Sequence, residues 1–266
     1  LFNDFHGAEN GRITVMLGPH APYTCPPECM KKVVELAQRR GIEIHVHLAE
    51  TKGEVDDSLK KYGKSPVALL NELGVFDCGA IAAHSVWVSP EDIAILAEKK
   101  VRVVHNPSSN MKLASGTAPI SAMLKAGVTV ALGTDGATSN NNLDMLKELR
   151  LASFLQKLSC MDPIAIPAHE ALALATQGGA AALGQTGSLG RIAPGYKADL
   201  TIFDTSLPHW HPQHNLTSLL AYSANSSDVR YTLVDGNVLY RNGEFKTLDI
   251  EKVKAETDMR GLRLVR

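Results

Sequence analysis

The stretch "GIEIHVHLAET", residues 41–51, decides how the chain is read, because it carries a strand straight into a polar loop. Ile42, Ile44, Val46 and Leu48 alternate with Glu43, His45 and His47, the period-two pattern of a β-strand with one apolar face. The opposite face holds two histidines, and Glu50 follows the second by three residues. Such a face is either a metal site or the polar lining of a barrel interior. His47 stands at the strand's end, where a pocket has room. His45 sits one layer deeper, the place of a hydrogen-bonded barrel filler. Glu50 favours a site, because a carboxylate just beyond a ligand handles the protons of metal-activated water.

Four more runs of this kind surround the first: "RITVMLG" (12–18), "GAIAAHS" (79–85), "VRVVHNP" (101–107) and "GVTVALGTD" (127–135). Helical patterns fill the gaps at 27–40, 54–73 with a break near Gly63, 90–99 and 117–126, and a longer one at 141–159 follows the last run. Strands alternating with helices predict parallel β/α units. Each run ends in polar residues: His20 just past the first, then His47 with Glu50, His84, His105 with Asn106, and Asp135. In a (β/α)8 barrel the chemistry gathers at the C-terminal strand ends. The expected fold class is therefore α/β, a (β/α)8 TIM-type barrel represented here by its C-terminal strands only. Five strands do not close an eight-stranded barrel, so the others are expected ahead of Leu1.

Beyond residue 185 the pattern changes. "GSLGRIAPGYKADLTIFD" (187–204) is glycine-rich and ends in an alternating run, and "VRYTLVDGNVLYRNGEF" (229–245) places Asp235-Gly236 between two alternating runs, a β-hairpin signal. The expected organisation is a barrel portion over 1–185, a small β-sandwich portion over 186–248 and a helical tail over 249–266.

Composition narrows the function classes. With 27 basic and 28 acidic residues, a formal charge of −1 and no basic stripe, neither nucleic acid nor an anionic membrane is expected as a partner. No apolar run approaches the ~20 residues of a membrane span. The four cysteines form no C-x-x-C pair, which suggests a reduced, cytoplasmic setting. The chain starts at Leu1 with neither an initiator Met nor a signal peptide, as a fragment or processed product would.

The stretches "GPHAPYTC", "HVHLAET", "AAHSVW", "VVHNPSSNMKLASGTAPI", "LGTDGATSNNNLDM" and "GSLGRIAPGYKADLTIFD" together resemble the amidohydrolase superfamily, and within it the S-adenosylhomocysteine/5′-methylthioadenosine deaminase branch. The resemblance implies zinc-dependent deamination of a purine nucleoside, with one Zn2+ per subunit and Fe2+ or Mn2+ as alternatives. It makes His47 and Asp135 zinc ligands, Asp135 also the acceptor of the water's proton, Glu50 the group that protonates the purine ring, and His84 the group that orients the attacking water. Glu50 and His84 would also contact substrate, with His20 on the nucleoside side and Ser139 as a further substrate contact. His45 has no metal role in the pattern. The family takes two more zinc ligands from an H-x-H motif on its first barrel strand, for which no counterpart lies in residues 1–266. The other H-x-H here, "PHWHPQHN" with His209, His211 and His214, lies in a proline-flanked segment expected to be a loop. His169, Cys25 and Cys29 read as packing or surface residues, and His105 as a neighbour of the site. A homo-oligomer is compatible with this reading. Two others stay open: a different hydrolase of the superfamily, such as guanine deaminase or s-triazine chlorohydrolase, and a truncated fragment without catalytic metal.

Overall fold

The computed structural model describes residues 1–265; Arg266, the last residue of the expected tail, lies outside the described residues. The alternation in the opening stretch is realised in β1 (Ile44–Leu48), where Ile44, Val46 and Leu48 are fully buried and the two histidines point to the other face. With β2 (Ala80–His84), β3 (Arg102–His105) and β4 (Thr129–Leu132) it forms a parallel sheet in the order β1-β2-β3-β4. The register pairs Leu48 with His84 and His105 with Leu132, so the strand ends, and the polar residues on them, finish level.

The helices between the strands start and stop where local chemistry dictates. Pro27–Arg40 opens on a proline and closes at Gly41, whose φ of 63° is the left-handed geometry of a C-terminal cap. Its buried residues Met30, Val34 and Ala37 lie on one helical face. Pro90–Glu98 begins with a reciprocal cap between Ser89 and Asp92. The expected 54–73 segment is two helices, Lys52–Tyr62 and Pro66–Glu72, because Gly63 turns left-handed and Ser65 caps a new start. The last long helix begins at Met145 rather than 141, since Asn141 has a φ of 67° and Asp144 caps the N–H groups of Leu146 and Lys147. The segment expected at 117–126 is helical over Ile120–Lys125, behind Pro119.

The run at 12–18 departs most from expectation. It makes no strand: only Leu17 bridges to Ile44, in parallel. Its polypeptide touches β1 at its C-terminal end and no strand pairs its other edge among the described residues, so the ladder does not propagate.

The later residues form a separate antiparallel sheet, β5 (Leu200–Phe203), β6 (Val229–Val234), β7 (Asn237–Arg241) and β8 (Glu244–Phe245), paired in sequence order. Asp235 and Gly236 carry the β6–β7 turn at φ values of 49° and 78°, the positive pair that such a tight hairpin needs. Among the described residues this unit is a single layer. Ile250–Leu264 is helical and buries no residue. No helix among the described residues is long and apolar enough to cross a membrane.

A helical segment that runs through Leu174–Gly178 packs against the edge strand β4. A Cβ on Gly178 would stand 2.3 Å from the backbone oxygen of Val130 in β4, which cannot retreat without breaking the strand. Gly178→Ala is therefore expected to lower stability by about 1–3 kcal/mol, read as a fall in the thermal midpoint.

Candidate metal centre

Three strands end in backbone that other residues rarely adopt. Ala49, His84, Ser85 and Asp135 have φ values of 48°, 72°, 48° and 58°. Left-handed geometry at non-glycine residues costs on the order of 1–3 kcal/mol each and persists where surrounding structure enforces it. Here it turns the chain sharply at the ends of β1, β2 and beyond β4, so that His47, His84 and Asp135 converge. One ligand atom from each of the three lies within 4.8 Å of the others, and this is the only such group of three among the described residues.

Each imidazole is held from behind. His47 Nδ1 lies 2.8 Å from the backbone oxygen of His20. A carbonyl only accepts, so Nδ1 carries the proton and Nε2 is left with its lone pair. His84 is 1% exposed, and its Nδ1 lies 2.8 Å from Asn110 Oδ1. Asp135 Oδ2 accepts hydroxyl hydrogen bonds from Ser109 and Ser139, both 2.7 Å. Partial burial alone would raise the Asp135 pKa, but the bonds from Ser139, Ser109 and the Gly136 N–H, with the nearby His84, outweigh it and hold the carboxyl below its ordinary value.

Glu50 closes the group from the side of β1. Its Oε2 is 3.8 Å from His84 Nε2, and its Oε1 accepts from Ser115 Oγ at 3.3 Å. The donor chemistry fits a zinc ion: imidazole nitrogens and a carboxylate oxygen, three protein groups close to one another with a second carboxylate, Glu50, beside them.

The remaining histidines divide as follows. His45 stays outside the group; burial lowers its pKa first, and neighbouring His47 and His84 lower it further. His105 is fully buried with neither ring nitrogen partnered, and burial, then His84, push its pKa down to about 3. His20 contributes its carbonyl, while its ring bonds Thr24 at 2.7 Å and lies 5.0 Å from the His47 ring. His209 bonds the buried Asp228 at 2.7 Å in a 3-10 turn, Pro208–Trp210, remote in sequence from this centre. His169 is exposed on its helix, Cys25 is half-buried against the core and Cys29 is exposed.

A family model described as the amidohydrolase family matches residues 2–239, nearly the whole chain. The chain belongs to the amidohydrolase family. This amidohydrolase is 52% identical over 260 residues to a 5-methylthioadenosine/S-adenosylhomocysteine deaminase of Moorella thermoacetica, covering 98% of this chain and 61% of that protein. Among solved structures it resembles an adenosine deaminase from Xanthomonas campestris with bound zinc, at 37% identity and a TM-score of 0.92, covering 97% of this chain and 58% of that one. It also resembles an atrazine chlorohydrolase from Arthrobacter aurescens complexed with zinc, at 28% identity and a TM-score of 0.89, covering 97% and 57%. The chain thus spans about three fifths of the length of the curated relative and of the solved structures it matches. Its α/β fold with a parallel sheet matches the amidohydrolase barrel structures.

Two carboxylates that support the amidohydrolase centre escape a reading of the sequence. Glu54, 6% exposed, accepts from the N–H groups of Ala49 at 3.1 Å and Glu50 at 2.8 Å, and so fixes the turn that presents Glu50. Thr51-x-x-Glu54 has the spacing of a helix capping box, the one local signal available, but the side chain reaches past the cap residue. Glu148, fully buried, accepts from Ser108 N and Asn140 Nδ2, both 2.9 Å, and ties the long Met145–Cys160 helix to the turns after β3 and β4. Glu148→Leu leaves the buried Ser108 N–H without its acceptor and Asn140 Nδ2 with only its bond to the Thr134 carbonyl. Its expected cost is about 2–4 kcal/mol, measured by denaturant unfolding.

Proposed function

We propose that the chain carries part of a zinc-dependent aminohydrolase that converts an adenosine derivative, S-adenosylhomocysteine or 5′-methylthioadenosine, to its inosine analogue and ammonia. The observation that carries this reading is the convergence of His47, His84 and Asp135 with Glu50 3.8 Å from His84. The 52% identity to a named deaminase supports the substrate class. On this reading residues 1–185 are the C-terminal part of a (β/α)8 barrel, 186–248 contribute one layer of a β-sandwich, and 249–266 form a tail. The protein would work in the cytoplasm on a small nucleoside, and a homo-oligomer fits.

His47 Nε2 and a carboxylate oxygen of Asp135 would hold the ion; Zn2+ suits the donors best, with Fe2+ or Mn2+ as alternatives. When bound, zinc makes water acidic enough to attack at neutral pH. His84 Nε2, beside the same point, would orient the attacking water, and Asp135 would accept its proton. Water adds to C6 of the adenine ring as Glu50 delivers a proton to N1. The proton taken by Asp135 would then pass to the amino group, the C6–N bond would break to release ammonia, and the C6 hydroxyl proton would return to Glu50 as the carbonyl forms. His20 and Ser139 border the group and are assigned to the nucleoside side. His45 fills space beneath it.

The test is ammonia release from S-adenosylhomocysteine, methylthioadenosine, adenosine, guanine and a chlorotriazine under one set of conditions. The highest kcat/KM is expected for the two thioether nucleosides. A higher value for guanine or the triazine would overturn the assignment in favour of another hydrolase of the family.

A further inference from the structure

β3 lies between β2, which ends in His84, and β4, which leads to Asp135, yet the ring of its own terminal residue, His105, has no hydrogen-bond partner. The short helix that follows, Pro107–Lys112, reaches both neighbours instead. Ser109 and Asn110 are adjacent, and successive helical residues point about 100° apart. One side chain can therefore reach each way: Ser109 Oγ donates to Asp135 Oδ2 on the β4 side, and Asn110 Oδ1 meets His84 Nδ1 on the β2 side. Both residues are fully buried, and the turn is pinned from behind by Glu148 on the Ser108 N–H.

We infer that Asn110 is a positioning residue that fixes His84 as the Nδ1–H tautomer, and that Ser109 in the same turn orients Asp135. An amide oxygen only accepts, so the 2.8 Å contact places the imidazole proton on Nδ1. Nε2 then presents a lone pair to the centre, where Glu50 Oε2 stands 3.8 Å away. Two acceptors facing each other at that distance are at rest only with a cation or a donated proton nearby. The other tautomer would put an N–H there and remove the lone pair that a water molecule or an ion needs. Asn110 is also poorly placed for stability alone: its buried Nδ2 has no partner, which is costly for a group whose only return is one hydrogen bond. Groups bonded to the outer nitrogen of such a histidine set its tautomer and orientation.

The activity part of this inference rests on the proposed deaminase reading; the tautomer part rests on geometry alone. The experiment uses the full chain with ring-15N-labelled histidine, before and after zinc is added, comparing Asn110→Leu and Asn110→Asp with the parent. His84 in the parent should show a protonated Nδ1 and an unprotonated Nε2. Asn110→Leu should lose that preference and lower kcat about 10–100-fold with KM little changed, whereas Asn110→Asp, which keeps the acceptor, should retain the pattern and most of the rate. Should Asn110→Leu not fold, Asn110→Ala carries the same expectation. A parent His84 protonated on Nε2, or a Leu variant with unchanged tautomer and kcat, would overturn the inference. A tautomer shift in a protein that deaminates no adenosine derivative would uphold the positioning and sink the deaminase reading.

Discussion

Glu50→Gln is expected to abolish turnover while leaving the metal in place. Glu50 touches the centre through Oε2, 3.8 Å from His84 Nε2, yet it is not among the three groups that converge on one point. Its backbone is held by Glu54, which bonds the Ala49 and Glu50 N–H groups whatever the Glu50 side chain carries. The amide therefore occupies the same volume in the same place but cannot pass a proton. Groups that do so contribute typically ~10²–10⁴-fold. Metal content by elemental analysis should match the parent. A variant that kept more than about half the parental rate would remove Glu50 from proton transfer.

Asp135→Asn should fail differently, losing metal and rate together. Asparagine still offers an oxygen to the Ser109 and Ser139 hydroxyls, so the local hydrogen bonds have a route to survive. It removes the one formal negative charge among the three converging groups, and a proton acceptor with it. The expected outcome is weaker zinc retention in competition with a chromophoric chelator and a rate lower by ~10² or more. Unchanged zinc affinity would mean that Asp135 is not a ligand.

The contrast between these variants follows from features that differ in how far they were legible. The alternation of residues 42–48 placed His47 at a strand end and His45 beneath it, and β1 has that arrangement. The polar endings of the later runs also picked out His84 and Asp135, because strand periodicity and the strand-to-loop change are local properties of the chain. The strand expected at 12–18 was not realised, since pairing depends on a neighbour and not on the run itself. What holds the centre was illegible for the same reason. His84 meets Asn110 across 26 positions and Ser108 meets Glu148 across 40, and no periodicity reports a contact of that separation. The His20 contact is made by a backbone carbonyl, which every residue possesses. The left-handed φ of Ala49 and His84 carries no residue-type signal, unlike Asp235-Gly236, whose turn was evident.

Ammonia release from methylthioadenosine, measured as zinc is titrated into protein stripped with a chelator, tests the metal-dependent reaction most directly. No release is expected before zinc, and activity should return with added metal and level off near about one equivalent per chain, the number a single metal centre takes. Undiminished release from the stripped protein would contradict a metal-dependent deamination at His47, His84 and Asp135.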